Sequence, residues 1–127
     1  MRIELENDRA LCESYGSIQA PNAVAGIPVF LVSHVRFLSR LRRTPAGWKM
    51  VTLDCIYEFD EITTINPTDA LPASLSEAIG KRTSYRFLSA MGTALGYTID
   101  PDMAGDDRPD LVRTTYRDAD LWLAGHA

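Results

Sequence analysis

The chain has 127 residues, 46% of them apolar and 24% charged, with 13 Lys and Arg against 17 Asp and Glu. That length is one domain, and the composition excludes a disordered, collagen-like or solenoid protein. The net charge of −4 argues against a general nucleic-acid binder, which needs a basic surface.

Apolar stretches such as Val29-Phe30-Leu31-Val32 are too short to span a membrane. Met1-Arg2-Ile3-Glu4 is followed by no apolar leader core. Cys12 and Cys55 make no disulfide framework and read as reduced core residues of a cytoplasmic protein.

Residues 1–66 have the period of strands. Met1 to Glu6 alternates, with Ile3 and Leu5 set against Arg2, Glu4 and Glu6. Asn7-Asp8-Arg9 is a turn signal, and Ala10 to Ile18 a return strand. Residues 20–28, with a proline near each end, read as a loop. Val29 to Arg43 is a long strand with apolar residues on both faces near its start. Thr44-Pro45-Ala46-Gly47 is a turn, and Trp48 to Ile65 is a second long strand rich in β-branched and aromatic residues. A hairpin of this length is expected to curve and twist.

Asn66-Pro67 ends the sheet, and three helices are expected beyond it. Ser74-Leu75-Ser76-Glu77 fits a capping box for a short helix closed by Gly80. Ser84 is a candidate cap for a second helix with Tyr85, Leu88, Met91 and Leu95 on one face, stopped by Gly96. Pro109 suits the first turn of a third helix, whose stripe runs from Leu111 to Leu123 and ends at Gly125. The class is therefore α+β: a strongly curved antiparallel sheet of about four strands over 1–66, then helices over 67–127. No Gly-rich phosphate loop is present.

More specific residues lie between Arg40 and Pro67. Arg40-Leu41-Arg42-Arg43, then Gly47-Trp48-Lys49-Met50, then Cys55-Ile56-Tyr57-Glu58-Phe59-Asp60 resemble the closing hairpin of SnoaL-like proteins, of the nuclear transport factor 2-like superfamily. Asp106-Asp107-Arg108-Pro109 with Trp122-Leu123 looks like the helical extension of one branch. The resemblance implies a cone-shaped α+β barrel with a deep pocket, and a homodimer formed through the sheet. It implies a small-molecule-binding protein with a pocket for a small hydrophobic ligand and no cofactor. The alternative it carries is a cofactor-independent cyclase, dehydratase or isomerase. Proteins of this family normally begin with helices that line the pocket. This chain starts on a strand, so the amino-terminal helical part reads as absent, through truncation or divergence, and no amino-terminal acid or base can be carried over.

His34, Arg36 and Asp54 are the candidate catalytic group. His34 and Arg36 share a strand face, and pairing Arg40 near Met50 places Arg36 opposite Asp54. An imidazole oriented by a carboxylate suits proton abstraction beside a carbonyl, and a guanidinium suits the oxyanion that results. The alternative is a cross-strand ion pair between Arg36 and Asp54, exposed or at a dimer interface. Tyr15 and Glu13 share a face of the second strand and are candidate ligand-binding residues, as is Tyr57. Trp48, Tyr57 and Phe59 also fit simple packing. The acidic run Asp100 to Asp107 lacks the ligand pattern of a calcium loop, with Leu111 where a bidentate Glu is needed, and fits a cap for the last helix. No His/Cys spacing resembles a zinc site.

Overall fold

A computed structural model describes residues 1–78 and 82–126. Four strands, β1 (Arg2–Glu6), β2 (Arg9–Val24), β3 (Ile27–Thr44) and β4 (Gly47–Thr64), form one antiparallel sheet in sequence order. The sheet curls into a half-barrel. Three helices follow: α1 (Ala73–Ser76), α2 (Arg86–Ala94) and α3 (Pro109–Leu123). The α+β class is as the periodicity implied. Among the described residues no helix is long and apolar enough to cross a membrane.

The expected loop over 20–28 is instead strand and a tight turn. β2 continues through Pro21, which lies opposite Phe30, and the chain reverses at Ala25-Gly26, both with positive φ. Proline is tolerated here because β1 pairs only with Arg9–Glu13, so the far side of β2 at Pro21 needs no N–H donor.

The two faces of the sheet are covered by different helices. Val29, Leu31, Ser33 and Val35 alternate onto one face and are all buried. Val24, Val29 and Leu31 pack there with Leu75 of α1 and Met91 of α2. α3 lies on the opposite face at the other end, where Ala119 and Trp122 pack on Leu11 and Leu38. One long curled sheet thus carries two small cores, which no local hydrophobic period reveals.

The helix ends depart from the expected caps. α1 is capped by Pro72 without a side-chain bond, and α2 begins after Tyr85 rather than Ser84. The Ser84 hydroxyl instead accepts from the Asp107 N–H at 3.1 Å. Gly80 lies outside the described residues. Gly96 and Gly125, at φ of 89° and 103°, do end α2 and α3. The acidic run does not cap α3, whose N-cap is Arg108 with no side-chain cap bond. Asp106 and Asp107 are drawn to arginines elsewhere in the fold.

The segment 103–107 docks on the edge of β4. The Tyr57 N–H donates to Ala104 O at 3.0 Å, and the Asp106 N–H donates to Tyr57 O at 2.9 Å. Gly105 is needed at this crossing, since a Cβ there would fall 2.6 Å from Ser84 Cβ.

Candidate functional site

The hairpin register decides what the candidate residues can do. The turn sets Met50 opposite Leu41 rather than Arg40, and a bulge between Arg40 and Leu41 adds a second step. Arg36 therefore faces Ile56, not Asp54, and Asp54 faces Leu38. Two steps keep Asp54 on the same sheet face, but each member of the group takes its own partner.

His34 Nε2 lies 2.9 Å from Glu61 Oε1, and its ring stacks on Phe59 at 4.3 Å. This pair is on the open sheet face, with the Glu61 side chain 62% exposed. Arg36 donates to both Asp106 carboxylate oxygens, at 3.2 and 2.8 Å, and to Glu58 at 3.2 Å. It acts as a clamp between β3, β4 and the segment before α3. Asp54 lies 4.0 Å from Arg40.

Tyr15 is directly opposite Arg36, as its face predicts, and is largely exposed. Glu13 reaches Arg2 at 3.5 Å. Burial first, then the Glu13 carboxylate, pushes up the phenol of Tyr116 on α3. Tyr57 is half-buried, with its ring 5.2 Å from that of Tyr85. Burial, with Cys55 beside it, pushes the Tyr57 phenol up to about 12. Burial also pushes up the Cys55 thiol, which makes it a poor nucleophile. Among the described residues no three His, Cys, Asp or Glu side chains gather in a metal-binding group.

A concavity lies away from these residues. Between α1 and α2 is a cleft of about 510 Å³. Arg86, Ser89, Ala90, Thr93 and Ala94 recur at helical spacing and form its α2 wall. The other side of α2, through Leu88 and Met91, is held against the sheet. The small side chains on this stripe keep the groove open between α2, α1 and Ile99 and Pro101. Tyr85, 1% exposed, fixes the inner end: its hydroxyl donates to Asp100 O at 3.0 Å and accepts from Arg82 at 3.0 Å.

Among the described residues three charged side chains line this cleft, Glu77, Arg82 and Arg86; Arg82 is paired with Asp107, which leaves Arg86 as the cation of interest. Its guanidinium lies 4.8 Å from the centre of the Phe87 ring, and its Nε is buried with no hydrogen-bond partner among the described residues. Nothing in the sequence singled it out, because an arginine at the start of a helix reads as a solvated surface residue. The only available signal was the row of small residues at 89, 90, 93 and 94.

Behind Arg86 sits Asp60, 4% exposed and directly opposite Ser33 on β3. Its Oδ2 accepts from the Leu88 N–H at 2.8 Å, at the first turn of α2. Its Oδ1 and the Ser33 hydroxyl lack partners among the described residues. Burial pushes the Asp60 carboxyl up, against the pull of the Leu88 and Phe87 N–H groups and of Arg86. A carboxyl that titrates above its ordinary value in the folded chain opposes folding once ionised. Stability should therefore fall as pH rises from the ordinary value of 3.8 through the raised one. Asp60→Asn keeps an oxygen for the Leu88 N–H and should remove that fall in urea unfolding measured across the window. Asp60→Ala loses the helix contact and should cost about 1–2 kcal/mol at neutral pH.

No family model matches the chain, and no curated protein matches it.

Proposed function

We propose that this protein binds a small, largely apolar molecule carrying an acidic group, in the cleft between α1 and α2. The observation that carries the reading is the cleft itself: about 510 Å³, walled by alanines, hydroxyls and Ile99, with two guanidinium groups, Arg82 and Arg86, and one carboxylate, Glu77, among its lining. Ligand pockets span about 300–1,000 Å³, with apolar walls and a few polar groups that fix orientation. Arg86 Nε has no hydrogen-bond partner among the described residues, and its charge, which also acts on the buried Asp60 carboxyl, can be shared with an anion in the cleft. The resemblance to SnoaL-like proteins, many of which bind small hydrophobic molecules, supports the same reading.

The alternative of a cofactor-independent cyclase, dehydratase or isomerase draws less from the geometry. His34 pairs with Glu61 on an open face and Asp54 with Arg40, so no enclosed acid–base pair is assembled.

An anilinonaphthalene sulfonate dye, with an apolar ring system and one anionic group, is a suitable probe. It should bind the native chain with a rise in fluorescence. Ala90→Trp, which fills the groove, should abolish that rise, and Arg86→Gln should weaken it about tenfold, the loss of one charge-assisted contact. Equal binding by the native chain and Ala90→Trp, at unchanged melting temperature, would sink the proposal.

A further inference from the structure

Both main-chain groups of Tyr57 are bonded outward from the sheet: its N–H donates to Ala104 O, and its C=O accepts from the Asp106 N–H. The register from Tyr57 to Thr52 is regular, so the two-residue period turns the N–H and C=O of Cys55 and Leu53 outward as well. Among the described residues nothing pairs with them, because β4 is the last strand and the segment 103–107 bridges it only at Tyr57. Folded proteins usually blunt such an edge with short length, charges or proline. β1, the opposite edge, is short and carries Arg2, Glu4 and Glu6. β4 instead exposes Trp48, Met50, Val51 and Leu53.

The charge along this edge is one-sided. Arg9 on β2, Arg42 on β3 and Lys49 on β4 lie opposite one another in a single row across the sheet. Like charges directly across a ladder are unfavourable. The Arg9 guanidinium is turned to the carbonyls of Trp122 and His126. Arg42 and Lys49 are exposed and form no ion pair among the described residues. Asp54, the one carboxylate between Arg40 and Ile56, lies 4.0 Å from Arg40. The row of cations thus ends at an open edge, where one more strand would set its own side chain against Lys49.

We propose that an extended segment of another protein, apolar on one face and acidic on the other, adds antiparallel to this edge as a fifth strand.

The two faces of β4 select the segment. Thr52 lies opposite Arg40 and Met50 opposite Leu41, so Val51 is an extra, bulged residue. Because of it, Trp48, Met50, Leu53 and Cys55 share one face, and Lys49, Thr52 and Asp54 share the other. An added strand meets apolar neighbours at every second residue. Antiparallel pairing sets its carboxy-terminal end beside Lys49, where an acid offsets the repulsion within the row of cations. Main-chain bonds to Leu53 and Cys55 supply affinity, and the alternate side chains supply selectivity. A groove of about 340 Å³ beside Leu53, Cys55, Tyr57 and Met103 receives an apolar side chain near the segment's amino-terminal end. This groove shares no lining residue with the cleft between α1 and α2.

The peptide Val-Thr-Val-Thr-Val-Glu-Val-Glu, labelled with fluorescein at its amino terminus, is a probe of that chemistry. Its anisotropy should rise with the native chain at a dissociation constant of about 100 µM or tighter, within reach of a few main-chain bonds and a charge pair. The peptide with Lys in place of Glu should bind about tenfold more weakly or worse. Methylation of the valine nitrogens, which are the ones that meet Leu53 and Cys55, should abolish binding while keeping every side chain. Leu53→Pro removes an N–H that the ladder with β3 does not use, and should abolish binding at unchanged melting temperature. Lys49→Glu, at an exposed position, should weaken the acidic peptide about tenfold and strengthen the lysine one. Absent binding, equal binding of the acidic peptide and either altered peptide, or binding untouched by either variant overturns the proposal. So does a chain that sediments as a dimer at that concentration and as a monomer in Leu53→Pro, since the edge then belongs to a second copy.

Discussion

Arg82→Ala is expected to melt roughly 10 °C below the native chain, a loss of about 3 kcal/mol in a domain of this size. Arg82 is a hub on which three segments converge. It donates to both carboxylate oxygens of Asp107 at 2.7 and 2.6 Å, to the Tyr85 hydroxyl, and to the carbonyls of Pro101 and Met103. Only 19% of its side chain is exposed, so removing it leaves a shielded carboxylate and two carbonyls short of donors. The same change has a pH signature. The Arg82 guanidinium holds the Asp107 carboxyl down at about 2, with Ser84 helping and burial opposing. A carboxyl depressed in the fold adds stability above its ordinary value of 3.8, and that stability is lost as pH falls toward 2. The native acid arm between about pH 4 and 2 should flatten in both Arg82→Ala and Asp107→Asn. An unchanged acid arm in both variants would show that the pair contributes nothing.

Trp122→Ala should be at least as costly, about 3–5 kcal/mol by analogy with buried aromatic truncations. The indole is 6% exposed and rests on Leu11 and Leu38, and the guanidinium groups of Arg9 and Arg40 lie 4.9 and 5.8 Å from its ring centre. Its carbonyl accepts from Arg9. α3 reaches the sheet chiefly through this cluster, so its amides should exchange at nearly unprotected rates in Trp122→Ala, while those of β3 stay protected. Leu121→Ala, one residue away but facing solvent, should leave both rates unchanged. Protected α3 amides in Trp122→Ala would mean that the ion pairs around Asp106 and Asp107 hold the helix by themselves.

Much of the local structure was legible. β4 was read almost to its ends, because Gly47 and Asn66-Pro67 punctuate a β-branched run. α3 was read to the residue at its start, where Pro109 loses no helix bond by lacking an N–H. Pro21 misled, because whether a proline breaks a strand depends on which edge of the sheet it faces. The candidate group of His34, Arg36 and Asp54 kept its common face but not its neighbours. A turn and a bulge shifted the ladder by two residues, and neither leaves a mark in a two-residue period. Arg36 and Arg82 took their carboxylates from Asp106 and Asp107, 70 and 25 residues further along the chain.

The sequence by itself determined the element types, their order, the antiparallel pairing and the α+β class. Those rest on interactions between residues close in the chain: side-chain period, φ restriction at proline and glycine, and the reach of a tight turn. The tertiary structure alone decided the rest. Which sheet face each helix covers, where the bulges fall, which carboxylate meets which arginine, and which edge stays open all depend on how a curled sheet closes on its own tail. These are contacts between residues far apart in sequence, fixed by buried area and charge pairing in three dimensions, and they leave no periodic trace in the chain.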